Sequence, residues 1–216
     1  NLALLAAAVT APDGATLAAR RARWEEAAKA RDEANAAAIA KDREADTISP
    51  SLLFAMLNEA APDDAVYVDE TITHRPFLMR HLPPRGPLSY FRVHGGLGQA
   101  MGVALGVKLG AGERMVISTM GDGTFMYNPA VQALAFARKH GLATLTVVSN
   151  NQGDNAMRKD QMGYYPDGVA AKSGLYLGHP ITEFDYAELA APVGAYGAKA
   201  ETTAELEKVL AEAVAA

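Results

Sequence analysis

Two short polar segments sit at equivalent points of a repeated strand-then-helix pattern, and that placement constrains the fold more than any other feature. Gly121-Asp122-Gly123-Thr124 follows the apolar run MVISTM, and Asn150-Asn151-Gln152-Gly153 follows the apolar run LATLTVVS. Between them, NPAVQALAFARKHG has apolar residues at helical spacing and closes on Gly141, a C-terminal cap signal. Strands this continuously apolar read as central strands of a parallel sheet. A helical crossover between two such strands brings both polar segments to the carboxyl edge of the sheet, where ligands bind in folds of this kind.

The same alternation runs through most of the chain. Ser49 precedes Pro50 at the start of SPSLLFAMLNEAA, a capped helix with proline at its first position. AVYVDE reads as a buried strand and HRPFLMRHL as a helix or loop, with PPRGP as a break. SYFRV reads as a second strand, and GGLGQAMGVALGVKLG as a glycine-opened helix. Residues 152–180 lack periodicity and read as loop or short helix, while FDYAELAAPVG and TTAELEKVLAEAVAA read as amphipathic helices around a short strand at AYGAKAE. The expected class is α/β: a doubly wound, mostly parallel sheet with helices on both faces. Residues 1–45 differ. An apolar helix, a PDG turn and an alanine-rich run of mixed charge with Trp24 read as the end of a preceding domain and a helical linker, leaving 46–216 as the ligand-binding domain. The opening at Asn1, with no cleavable signal, makes a piece of a longer polypeptide the expectation.

Composition narrows function by exclusion. A net charge of −5 offers no basic face for nucleic acid, and no stretch is apolar enough for a membrane-spanning helix. With Cys 0, disulfides and thiolate metal sites are absent, which is compatible with a reducing cytoplasm, the expected location.

The polar segments carry oxygen chemistry. Asp122 supplies an anionic oxygen, Asn151 a neutral one, and a backbone carbonyl near Gly153 a third. Magnesium takes octahedral oxygen, with few protein ligands and the remainder from phosphates and water. Gly121 and Gly123 allow close backbone approach, Thr124 can donate to phosphate, and the helix starting there offers free amides to a diphosphate.

The order strand, GDG, helix, strand, NN resembles the signature of thiamine-diphosphate enzymes, with a separation slightly longer than in many of their decarboxylases. Gly95-Gly96-Leu97-Gly98 is similar to the GGLG segment of the benzoylformate decarboxylase and acetolactate synthase group. In that group a bulky apolar side chain, here Leu97, wedges beneath the cofactor and bends it into a V; Gly96 lies beside it. Glu70-Thr71-Ile72-Thr73-His74 resembles the acidic-then-hydroxyl segment that grips the diphosphate, with Thr73 as the donor. His74 and His94 are the candidates for catalytic acid–base or substrate contact, whereas His81, His140 and His179 read as loop or helix-end residues.

The resemblance covers roughly residues 45–214 and implies thiamine diphosphate and Mg2+ as cofactors. It implies a lyase or transferase acting on a small 2-oxo acid or aldehyde, as a decarboxylase or an acetolactate synthase-like carboligase. It further implies a pyrimidine-binding domain from the same or a neighbouring subunit, which supplies an activating glutamate, and hence a homodimer or homotetramer. A flavin, where relatives carry one, would lie mostly on a middle domain. Asp154, Asn155, Met157, Tyr164 and Tyr165 follow Asn151, where the group shapes its substrate pocket. Two other readings stand beside this one. One is a non-catalytic scaffold of the same fold. The other is a nicotinamide-binding Rossmann domain, suggested by the loose GxGxxG likeness of GGLGQAMG but lacking an acidic residue at the end of the next strand.

Overall fold

Ser49 accepts a hydrogen bond from Leu52 N at 3.1 Å, and Pro50 opens helix α3 (Pro50–Ala60), whose Leu52, Leu53, Phe54, Met56 and Leu57 are buried. This is where the ordered α/β body begins in the computed structural model, which describes residues 2–9, 12–178, 180–181 and 184–216. The chain separates into two compact units, Asn1–Ala45 and Asp46–Ala216. The first holds α1 (Leu2–Ala8) and α2 (Gly14–Glu44), neither with a buried residue. Asp13 starts α2 by accepting from the amide and the hydroxyl of Thr16, both at 2.8 Å.

In the second unit, β1 (Val66–Asp69), β2 (Tyr90–Arg92), β3 (Val116–Gly121) and β4 (Leu145–Ser149) form a wholly parallel sheet in the order β2-β1-β3-β4. The register pairs Asp69 with Arg92 and with Thr119, and Gly121 with Ser149, so every strand tip meets at one edge. Every residue of β1 is buried. Val66, Val68, Val116 and Met120 join Met101, Ala104 and Leu105 of α5 (Ala100–Ala111) and Ala133 of α7 (Ala130–His140) in one apolar cluster. Tyr67 and Ile117 alternate to the other face of the strands, as period-two geometry requires. A second helical layer is built on α3, against which α4 (Arg75–His81) and α10 (Thr203–Ala215) both pack. Thr202 and Glu205 cap α10 reciprocally.

Four expectations change. The helix after GDG is split: α6 (Asp122–Tyr127) ends before an extended Asn128, and α7 starts after Pro129. Proline disfavours the helical region for the residue before it, which accounts for the break. The glycines of GGLG lie outside α5, which begins only at Ala100. FDYAELAAPVG forms a 3-10 helix, Ala187–Val193, with Pro192 inside it, rather than a full α-helix. No strand forms at 195–201. Alanine and glycine are poor strand formers, and Gly197 instead lies so close to the Ala187 carbonyl that a Cβ there would collide with it. Among the described residues β4 is therefore an edge strand, and it is only half-buried apart from Ser149. Residues 155–173 contribute two short helices, α8 (Asn155–Tyr164) and α9 (Val169–Ser173).

The amino ends of the strands are tied by arginines. The guanidinium of Arg85 forks onto the Pro62 and Asn58 carbonyls at 2.9 and 3.0 Å, the Asn58 side chain at 2.7 Å and Asp63 at 3.2 Å. Arg114 Nε donates to the Asp64 carbonyl at 2.7 Å.

His81 and His140 are the last residues of α4 and α7, and His179 lies outside the described residues. His81 Nε2 is buried with no hydrogen-bond partner among the described residues, and burial, helped by Arg80, pushes its pKa below the usual histidine value. The unfolded chain therefore binds the proton first as pH falls, so this residue subtracts stability below the unfolded pKa of about 6.5. Acidification from pH 7.5 to 5.5 should lower the melting temperature of wild type more than that of His81→Gln. Equal losses would refute this.

Candidate functional site

The parallel register gathers the loops after β1, β3 and β4 around a pocket of about 160 Å³. Its floor is Gly121, Asp122, Gly123 and Thr124; Thr71, Ile72, Thr73 and His74 form one wall, and Ser149, Asn151 and Gly153–Met157 another. Leu97 and Tyr127 close a further side.

Asp122 opens α6 and is 1% exposed. Its Oδ2 accepts from Gly153 N at 3.0 Å, which links the tips of β3 and β4 directly. The other carboxylate oxygen takes no hydrogen bond from a described residue. The two asparagines after β4 divide their work. Asn150 Oδ1 accepts from Gln152 N at 2.9 Å and holds a turn in which Gln152 has φ +58°, while Asn151 reaches the pocket wall. Asn155 Nδ2 donates to Asn151 Oδ1 at 2.7 Å, and the Gly153 carbonyl accepts from Asn155 N at 2.8 Å. A Cβ at Gly123 would meet the tip of the Asp154 side chain, which would have to swing aside.

The segment after β1 is shaped by a wholly buried carboxylate. Asp69 accepts from the Thr71 amide at 2.7 Å, the Thr71 hydroxyl at 2.6 Å, Tyr90 Oη at 2.6 Å and Arg92 at 3.1 Å. Burial and this bond to Asp69 push the Tyr90 pKa up to about 12. The resulting turn presents Thr73 and His74 to the pocket. Burial holds the His74 imidazole below its usual pKa; Asp122 opposes the shift and Lys159 adds to it. His74 is therefore neutral near pH 7.

Of the residues singled out from the sequence, Thr73, His74, Leu97, Gly121, Asp122, Gly123, Thr124, Asn151 and Gly153 share this pocket, together with Asp154, Asn155 and Met157. His94 and Gly96 are exposed on the loop before α5 and do not line it; Tyr164 and Tyr165 are also exposed and away from it. Sequence reasoning did not single out Ser149 or Tyr127. Ser149 had a signal, since it ends the strand just before the asparagines; Tyr127 had none. Glu70, grouped by pattern with the residues gripping the diphosphate, turns away instead, to the start of α5. Among the described residues no group of three or more His, Cys, Asp and Glu side chains is gathered for a metal. The acidic lining among the described residues is buried Asp122 and the partly buried Asp154, with neutral oxygens around them.

A parallel sheet whose carboxyl-edge loops enclose a polar pocket around one buried carboxylate defines an α/β ligand-binding domain. More particularly, the chain belongs to the thiamine pyrophosphate enzyme family, as its C-terminal TPP-binding domain, which residues 73–216 match. It is 28% identical over 170 residues to benzoylformate decarboxylase of Pseudomonas aeruginosa, covering 78% of this chain and 30% of that protein. It is 28% identical over 169 residues to the acetolactate synthase large subunit of Parasynechococcus marenigrum, covering 77% of this chain and 26% of the relative. The crystal structure of benzoylformate decarboxylase from Polynucleobacter necessarius matches with a TM-score of 0.71 at 25% identity, over 81% of this chain and 32% of that one. The 4-hydroxybenzoylformate decarboxylase of Rhodococcus jostii matches with a TM-score of 0.70 at 27% identity, over 79% of this chain and 31% of that one. The chain thus spans about a third or less of the length of these relatives.

Proposed function

We propose that this pocket holds the diphosphate of thiamine diphosphate through Mg2+, in an enzyme that breaks or forms a carbon–carbon bond next to a carbonyl. The reaction is that of a 2-oxo acid decarboxylase or an acetolactate synthase-like carboligase. One observation carries the reading: a buried Asp122 carboxylate with one oxygen fixed by Gly153 N and the other unclaimed in the pocket, on the strand tip beside Asn151. A lining with few carboxylates among neutral oxygens suits magnesium that keeps phosphate and water ligands better than an all-protein cage.

In this reading Asp122, Asn151 and the second lone pair of the Gly153 carbonyl hold the metal. Thr73 and Thr124 donate to phosphate oxygens. Leu97, which lines the pocket, would support the cofactor as a proximity device. Neutral His74 accepts or returns a proton at the pocket wall, and His94, on the exposed loop before α5, contacts substrate once the rest of the site is assembled. When bound, the cofactor would supply an electron sink next to the substrate carbonyl. The remaining parts of the site, including a pyrimidine-binding domain with its activating glutamate, come from the same or a neighbouring subunit of a homodimer or homotetramer.

Calorimetry of the full-length enzyme tests the reading. Thiamine diphosphate should bind with Mg2+ present and lose that binding in EDTA; equal affinity in both would overturn it. Product analysis with pyruvate and with benzoylformate then separates carboligation from decarboxylation. The wedge has its own expected result: Leu97→Ala keeps cofactor affinity within about threefold yet slows turnover about tenfold or more, as loss of a positioning contact does. Unchanged turnover would remove Leu97 from this role.

A further inference from the structure

The carboxylate of Glu70 is 3% exposed and spends itself on the start of α5. Gln99 N donates to its two oxygens at 2.9 and 3.2 Å, and Ala100 N to Oε2 at 2.9 Å. Asn128, 8% exposed, completes the arrangement. Its Oδ1 accepts from Met101 N at 3.1 Å, and its Nδ2 donates to Glu70 Oε2 at 3.3 Å and to the Thr124 carbonyl at 3.0 Å. Gln99, the residue preceding α5, makes no side-chain cap of its own. The helix is capped instead by two residues from distant loops, one just past β1 and one just past α6.

A local cap would have satisfied these amides equally well. A remote one does something further, because it fixes three loops relative to one another. Its charge also lies where the helix dipole favours an anion. Gly98 is pressed onto the end of α6, where a Cβ would collide with the Tyr127 carbonyl, and Gln99 Nε2 donates to the Gly96 carbonyl at 2.9 Å. The loop carrying Leu97 is therefore held between the pinned turn of α5 and the helix that begins with Asp122.

We propose that Glu70 and Asn128 are positioning residues that set Leu97 in the pocket relative to Asp122, by pinning the first turn of α5. The proposal rests on the cofactor reading for what Leu97 supports, and on hydrogen bonding alone for the pinning.

Hydrogen–deuterium exchange on the cofactor-free full-length enzyme is the first test. Glu70→Gln keeps the shape but turns an amide group towards amide donors. It should speed exchange in residues 95–101 about tenfold through local opening while leaving α7 unchanged. Asn128→Ala should do the same in smaller degree, and serves if Glu70→Gln does not fold. The second test uses the loaded enzyme with pyruvate or benzoylformate. Glu70→Gln should lower kcat about tenfold, shift the cofactor concentration for half-activity less than about threefold, and add little further loss to Leu97→Ala, since residues acting as one unit are not additive. Unchanged exchange at 95–101 in both variants, or losses that multiply independently, would overturn the proposal. Failure of wild type to bind thiamine diphosphate would sink the functional reading alone, because the exchange test needs no cofactor and decides the pinning by itself.

Discussion

Asp122→Asn in the full-length enzyme should weaken Mg2+-dependent binding of thiamine diphosphate by about a hundredfold or more while the protein stays folded. The size follows from what is removed. Asp122 is the buried carboxylate of the pocket, and exchanging it for a neutral amide leaves only the less buried Asp154 among the described acidic residues lining it, in a setting where charge-assisted contacts are strongest. The asparagine oxygen can still accept from Gly153 N, so the link between the tips of β3 and β4 survives. Asp122→Ala should show the same binding loss and also a stability loss of about 1–3 kcal/mol, because Gly153 N is then left buried without an acceptor. Calorimetry and denaturant unfolding separate the two effects. Asp122→Asn with wild-type affinity in Mg2+ would end the metal assignment.

The largest stability effect is expected at Gly98. Its φ of +92° is disfavoured for other residues, and a Cβ would also collide with the Tyr127 carbonyl, a backbone atom that can yield only if α6 moves. Backbone strain and overpacking together should cost about 3 kcal/mol or more in Gly98→Ala. Gly95 supplies the control, since it has φ +102° but no atom within 4 Å of an added Cβ. Gly95→Ala should therefore cost only the strain, about 1–2 kcal/mol. Chemical denaturation of both variants measures the difference. Similar costs at the two positions would show that the contact with α6 gives way easily.

The parts of this molecule that a sequence can announce are those written in neighbouring residues. Apolar runs ending in GDG and NN located β3 and β4, and one crossover between them was enough to bring Asp122 and Asn151 to the same edge. Ser49 with Pro50 marked α3 for the same local reason. Where the reading departed from the structure, the cause was either a local preference underweighted or a contact across the chain. Pro129 was visible, and its effect on Asn128 separates α6 from α7. The missing strand at 195–201 reflects residues with little strand preference beside a close glycine contact that only the fold creates. The direction of Glu70 could not be read at all, because its partners lie 29, 30 and 58 residues away.

The arginine ties at the amino ends of the strands have a consequence for how such a chain can change. Arg85 and Arg114 grip backbone oxygens at the rim opposite the pocket, so that shore of the sheet only holds the body together, while the shore of Asp122 and Gly98 has to do so and face the pocket as well. Drift on the gripping shore answers only to heat and denaturant. Drift on the other answers to ligand chemistry and to stability together, with the arginine moorings out of its reach.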